Sequence, residues 1–385
     1  MRTYKYQICL LGDVDTIADQ VQEYVVKQVN DLGLDQDHIV FLDESSVASR
    51  ERKAPCAAIF FGYSGANTNP HEELDPLVED SLLIVPIVDD LEKYASLTPK
   101  NLKEYNGRQN PDGYQQACLR VLEHFRLLRS ERRLFISYKR KDTSAIAHQL
   151  YDAFDQSGYD VFLDTRSVRG GEIFQDVLWH RMADSDVVVL LDSPNFRDSQ
   201  WTEMEYARAL SSDIHIQHLL WPGVQSQSDS ALDEFLPLTE ADFQSAKTEG
   251  PEALLDLETI NDIVASTEHS RARALAARNM ALIDGFCDLA RETGHSADLQ
   301  AGLSIKLTAN GRRISVVPMV GVPTASRLHD IVNRAIIDDP GAEVWALYDH
   351  LGILERVVDH LDWLNDNLPL TALRKAHCRQ AIERL

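Results

Sequence analysis

The sequence predicts an α/β protein built on parallel sheets, and three observations predict it. Short apolar runs alternate with amphipathic helical stripes along most of the chain, the pattern of strands joined by crossover helices. The runs end in Gly, Asp or Asn, as strands that meet loops do. The chain has 385 residues, too many for one ordinary core, so two or three domains are expected.

Residues 4–11 read as a buried strand stopped by Gly12. Ile17, Val21, Tyr24, Val25, Val29 and Leu32 form a helical stripe over 15–32. Further strands are expected at 38–42, 57–61 and 82–88, and a long amphipathic helix at 114–130. These elements make an N-terminal α/β domain over 1–128. Gly12-Asp13 and Gly62-Tyr63-Ser64-Gly65 stand at its strand ends. Neither matches a phosphate-binding glycine motif, so turn formation is the favoured role.

A second α/β unit spans 131–245. Leu134–Tyr138 is a strand, Ser144–Ser157 a helix closed by Gly158, and Asp160–Leu163 a strand. A loop at 164–171 precedes a helix at 174–182. Asp186–Leu191 is nearly all apolar, as a central strand is. A helix at 201–210 and a strand at 214–221 complete the unit. A Ser/Gln/Asp-rich stretch at 226–233 reads as a linker. The remainder, 250–385, reads as an α+β domain. It has a helix at 269–293, a hairpin turning at Asn310-Gly311, a helix opened by Pro323, a strand at 344–348 and a helix at 351–366.

Composition narrows the function. A formal net charge of -23 argues against nucleic acid as the main ligand, since such proteins carry a basic footprint. The five cysteines form no C-x-x-C pair, so reduced thiols and no metal site are expected. Residues 1–7 do not read as a signal peptide, and no run approaches the ~20 apolar residues of a membrane helix. A cytoplasmic protein with no membrane partner is therefore expected.

Four blocks of the second unit carry chemistry. They are Phe135-Ile136-Ser137-Tyr138 with Lys139-Arg140-Lys141-Asp142; Gly158–Asp164 with a loop ending Gly170-Gly171-Glu172; Val187–Leu191 running into Asp192-Ser193-Pro194-Asn195-Phe196; and Ser199-Gln200-Trp201-Thr202-Glu203-Met204-Glu205. In this order and spacing the unit resembles a Toll/interleukin-receptor (TIR) domain, a flavodoxin-like parallel-sheet fold. The resemblance covers about 110 residues. It implies an α/β architecture in which a TIR domain is flanked by an N-terminal α/β domain and a C-terminal α+β domain.

Enzymes of this family cleave the nicotinamide–ribose bond of NAD+, and some cyclise the remainder. Their catalytic glutamate follows a tryptophan by four residues on the helix after the central strand. Trp201 and Glu205 have that spacing, and residues i and i+4 share one helix face. The resemblance thus implies Glu205 as the catalytic carboxylate. Breaking the bond builds positive charge on the sugar, which a fixed anion stabilises more in the transition state than before it. Nicotinamide leaves as a neutral amine, so one carboxylate suffices. As plain helix residues, Glu205 would pair with Arg208 and Trp201 would fill core; the four-block pattern favours catalysis.

The resemblance places Ser137, Tyr138, Arg140, Asp164 and Trp201 around the substrate. Arg140 is either a cation facing the dinucleotide or a surface charge, and Asp164 either a substrate contact or a loop cap. NAD+ is expected as substrate, with no cofactor and no metal. The loop Thr165–Glu172, with Arg166, Arg169 and two glycines, is expected to serve assembly and gating. Self-association through TIR domains and an unidentified trigger or partner protein are the expected partners. The expected role is a NAD+ hydrolase of bacterial antiphage defence, with ADP-ribose cyclisation as a further product route. The alternative is a non-enzymatic TIR adaptor. The first domain resembles a degenerate TIR sandwich without the key blocks. Either flanking domain is a candidate sensor or partner-binding module.

Overall fold

The computed structural model describes residues 6–14, 17–68, 71–109, 113–163, 174–196, 213–225, 233–250 and 252–385. They form two compact units, 1–130 and 131–385, which together carry three five-stranded sheets. Among the described residues, no helix is long and apolar enough to cross a membrane. All five cysteines are free.

In the first unit, β1 (Tyr6–Gly12), β2 (Ile39–Leu42), β3 (Cys56–Phe61), β4 (Leu83–Val88) and β5 (Arg108–Gln109) lie in the order β2-β1-β3-β4-β5, all parallel. Every residue of β3 is buried, which explains its unbroken apolar run. Helices α1 (Ala18–Asp31), α2 (Asp75–Glu79), α3 (Tyr94–Leu97) and α4 (Gly113–His124) accompany the sheet. Helix α4 ends six residues earlier than its apolar stripe predicts, and Arg126 takes φ +60 just beyond it. Gly12 is structural: its φ is +86, and a Cβ there would run into the Phe61 carbonyl.

The second unit holds two sheets. The central one contains β6 (Arg133–Ser137), β7 (Asp160–Leu163), β8 (Val187–Asp192), β9 (His215–Leu220) and β10 (Asp233–Pro237) in the order β10-β9-β8-β6-β7. Read from its other edge, this is the 2-1-3-4-5 order of doubly wound folds. The first unit repeats it. One face packs against α5 (Arg140–Gln156) and, with it, Leu134, Ile136, Val187, Val189, Leu191, Leu219 and Trp221 share one core. On the other face Phe135, Phe162, Val188, Leu190 and Ile216 pack with Met182 of α6 (Phe174–Asp184). Helix α5 has a break at Thr143 (φ -132, ψ 19), so the continuous helix starts at Ser144, where the sequence predicts it.

The third sheet has the order β11-β12-β13-β14-β15, from β11 (Ser296–Leu299), β12 (Ile305–Ala309), β13 (Arg312–Met319), β14 (Glu343–Tyr348) and β15 (Thr371–Arg374). Its first three strands are antiparallel and its last three parallel. Asn310 (φ 47) and Gly311 (φ 81) make the two-residue hairpin turn expected of Asn-Gly. Helices α8 (Ala325–Asp338) and α9 (Glu355–Asn365) cover one face. The C-terminal end of α7 (Leu257–Glu292) and α10 (Cys378–Glu383) cover the other.

Helix α7 links the two sheets. Ile260, Ile263, Val264 and Ala274 lie in the core of the central sheet. Leu282, Ile283, Phe286 and Ala290 lie in that of the third. The helix begins twelve residues before its predicted start, capped by Asp256, whose side chain accepts from the Thr259 amide at 2.7 Å. Buried Thr259, Thr267 and Glu268 interrupt the apolar stripe there. Polar contacts fix it in place. Arg271 Nε donates to Asp186 Oδ2 at 2.8 Å, Arg132 Nη1 to Glu268 Oε1 at 2.7 Å, and the Arg278 guanidinium to the Ser185 and Ala183 carbonyls at 2.8 and 3.0 Å.

Candidate active site

In a sheet of this order, ligands bind beyond the carboxyl ends of the strands, where the connections diverge on either side of the first and third strands. Here those strands are β6 and β8, ending at Ser137 and Asp192. The loops that follow are laced together. Lys139 Nζ, after β6, donates to the Asn195 carbonyl, after β8, at 2.7 Å. Trp221, after β9, donates its backbone amide to the Asp192 carbonyl at 3.2 Å and its indole to the Thr248 carbonyl at 2.6 Å. These bonds hold the rim of the crevice in one geometry.

Register decides which side chains share a face. Ser137 pairs with Leu190, Leu190 with His218, and His218 with Phe235, in one row across four strands. Alternation along β8 puts Asp192 on the same face as Leu190, one step nearer the carboxyl edge. Ser137, Asp192 and His218 therefore lie on one face, and all are buried. The His218 ring stacks on Phe235 with centroids 4.7 Å apart. Its Nδ1 is 3.6 Å from Asp192 Oδ2 and its Nε2 3.8 Å from Asp233 Oδ1. Burial pushes the His218 pKa down, but the Asp192 and Asp233 carboxylates more than offset it and the net shift is upward.

Of the residues expected at the substrate, Ser137 is the last residue of β6 and 3% exposed. Tyr138 sits in the core shared with Ile136, Leu191 and Trp221. Arg140 is exposed and opens the short turn before the Thr143 break. Asp164, Trp201 and Glu205 lie outside the described residues, as does the loop Thr165–Glu172. Asp192, Ser193 and His218 emerge from the structure. The signal for His218 in the sequence is the run His215-Ile-Gln-His218, polar residues in a strand that proves fully buried; Asp192 and Ser193 stand in the third block. Gln217 points to α7, donating to Ser266 Oγ at 3.0 Å, and His215 on the same face meets Glu234 of β10 at 3.3 Å; His218 points the other way. Among the described residues, no three His, Cys, Asp or Glu side chains converge as a metal site would need.

Residues 134–255 match the family model described as TIR domain. The match ends at Leu255, which bridges to Phe243 and packs with it in the central core. A protein from Brachypodium distachyon described as "Probable 2' cyclic ADP-D-ribose synthase BdTIR" is 30% identical over 126 residues. That alignment takes in 30% of this chain and 54% of the relative, so the chain spans about half the length of the relative it matches. The part of the chain around the β6–β8 crevice is a TIR domain.

Proposed function

From the TIR domain at residues 134–255, we propose that the chain cleaves NAD+ between nicotinamide and ribose, with Glu205 as the catalytic carboxylate. The observation that carries the reading is the Trp201-x-x-x-Glu205 spacing just after Ser199 within the matched region. The relative named as a 2' cyclic ADP-D-ribose synthase supports it, since a cyclic ADP-ribose is what remains of NAD+ when nicotinamide departs and the ribose carbon it leaves bonds to another oxygen or nitrogen of the same ADP-ribose, which loses its proton. The buried polar face at the β6–β8 crevice supports it too. A site that loses water strengthens each electrostatic contact to charge developing on the sugar.

The expected products are nicotinamide with ADP-ribose or its cyclic form. The substrate set is NAD+ alone, without cofactor or metal. Ser137, Tyr138, Arg140, Asp164 and Trp201 are its proposed surroundings. Activity is proposed to follow self-association of TIR domains upon a trigger, in a cytoplasmic antiphage defence role. Full-length protein at high concentration is incubated with NAD+, and products are separated by chromatography and mass. Nicotinamide with an equimolar ADP-ribose species supports the reading. Intact NAD+ beside stable self-association would favour an adaptor.

A further inference from the structure

Asp192 poses a question that folding does not answer. Its residue exposure is 4%, and Oδ1 is buried with no hydrogen-bond partner among the described residues. The neighbouring Ser193 Oγ, on a residue 1% exposed, is in the same condition. An uncompensated buried carboxylate oxygen is costly, and native proteins seldom keep one without a use. The other oxygen, Oδ2, faces His218 Nδ1 at 3.6 Å, longer than a hydrogen bond but close enough for charge compensation. Asp233 stands on the far side of the ring at 3.8 Å, and Phe235 stacks on it. The imidazole is thus clamped on three sides, and it holds Asp192 at the carboxyl end of β8. That end borders the crevice between β6 and β8.

We propose that Asp192 is a second carboxylate of the substrate site, its Oδ1 accepting a hydrogen bond from a ribose hydroxyl of the bound dinucleotide, with His218 as the residue that positions it. The inference rests on the NAD+ reading above. It adds a contact at the carboxyl end of β8, independent of Glu205. A hydroxyl donor suits the geometry, because a carboxylate oxygen short of a partner accepts strongly from O–H groups. The raised pKa of His218 fits this role, since a protonated ring best compensates the two aspartates.

The test uses the full chain carrying Glu205→Gln, so that substrate is not consumed. NAD+ and its 2'-deoxy and 3'-deoxy analogues on the nicotinamide ribose are titrated by calorimetry. The same titrations are run with Asp192→Asn added, and with His218→Gln added. The inference expects NAD+ to bind about 10- to 100-fold more weakly when Asp192 is replaced. It also expects one deoxy analogue, disfavoured by the parent, to lose that disadvantage in the Asp192→Asn protein. A protein merely loosened by the change would weaken on all three ligands alike. His218→Gln should give a smaller loss with the same shift in preference. Unchanged affinities, or an unchanged preference among the three ligands, would overturn the inference and leave the NAD+ reading standing. No binding of NAD+ by the Glu205→Gln parent would overturn both.

Discussion

Arg271 is 1% exposed, and its guanidinium reaches Asp186, which is 0% exposed. Asp186 Oδ2 also accepts from the Arg133 backbone amide at 3.2 Å. Two charges have thus left water, and their attraction roughly offsets that cost while both are present. Removing one leaves the other uncompensated. Arg271→Ala is expected to destabilise the second unit by about 3–5 kcal/mol, read as a lower denaturant midpoint. A loss below about 1 kcal/mol would show that water reaches the pair. Such residues mark the limit of sequence reading. Asp186 reads in the sequence as the start of an apolar strand, and its partner lies 85 positions on. Asp192 and His218 were hidden in the same way, since strand register alone brings them together. Ser137, by contrast, was legible, because it ends the strand whose motif names it.

Among the elements, the interior strands were legible, and so were the edge strands β2 and β7 with their apolar runs, whereas the other edges were not. β3 and β8 are buried throughout and announce themselves as apolar runs. β5, β10, β11 and β15 lie at sheet edges, where one flank meets no neighbour, so they are short and carry no apolar run. β10 even begins inside the polar stretch read as linker. Helix α6 shows how elements of the second unit are tied. The Leu354 amide donates to His180 Nδ1 at 3.3 Å, and the Val322 amide to Asp184 Oδ1 at 2.9 Å. Gly352 (φ +80) packs so close that a Cβ would stand 3.2 Å from the Trp179 carbonyl. The loops after β13 and β14 thus grip α6. His180 must be neutral to accept that bond. Burial, then Arg181, Arg356 and Arg133, push its pKa down to about 4. Its folded pKa lies below the unfolded value near 6.5, so its contribution is fully present above pH 6.5 and is lost as pH falls towards 4. A thermal midpoint that drops over this window in the wild type, and less in His180→Gln, is the expected result. Parallel pH profiles for the two proteins would remove His180 from the account.

At the scale of the molecule, α7 joins the TIR core to the third sheet. A fragment of residues 131–245 lacks it, and so strips Ile260, Ile263 and Val264 from the face opposite α6. Exposed apolar area of that size costs several kcal/mol at ~25 cal/mol per Å², comparable to the whole stability of a domain. The fragment 131–245 is expected to aggregate or to lack a cooperative thermal transition, whereas 131–385 should unfold cooperatively. A cooperative transition in the shorter fragment would show that the TIR sheet stands without α7. The integrity of the TIR core is therefore expected to depend on the segment that follows it. Chemistry at Glu205 is tested most directly by nicotinamide release from NAD+ by the full chain. The wild type is expected to release nicotinamide at high protein concentration, and Glu205→Gln to do so at a rate at least about 100-fold lower, with a thermal midpoint little changed. Equal rates in the two proteins, or no release by a wild type that has visibly assembled, would contradict catalysis by Glu205.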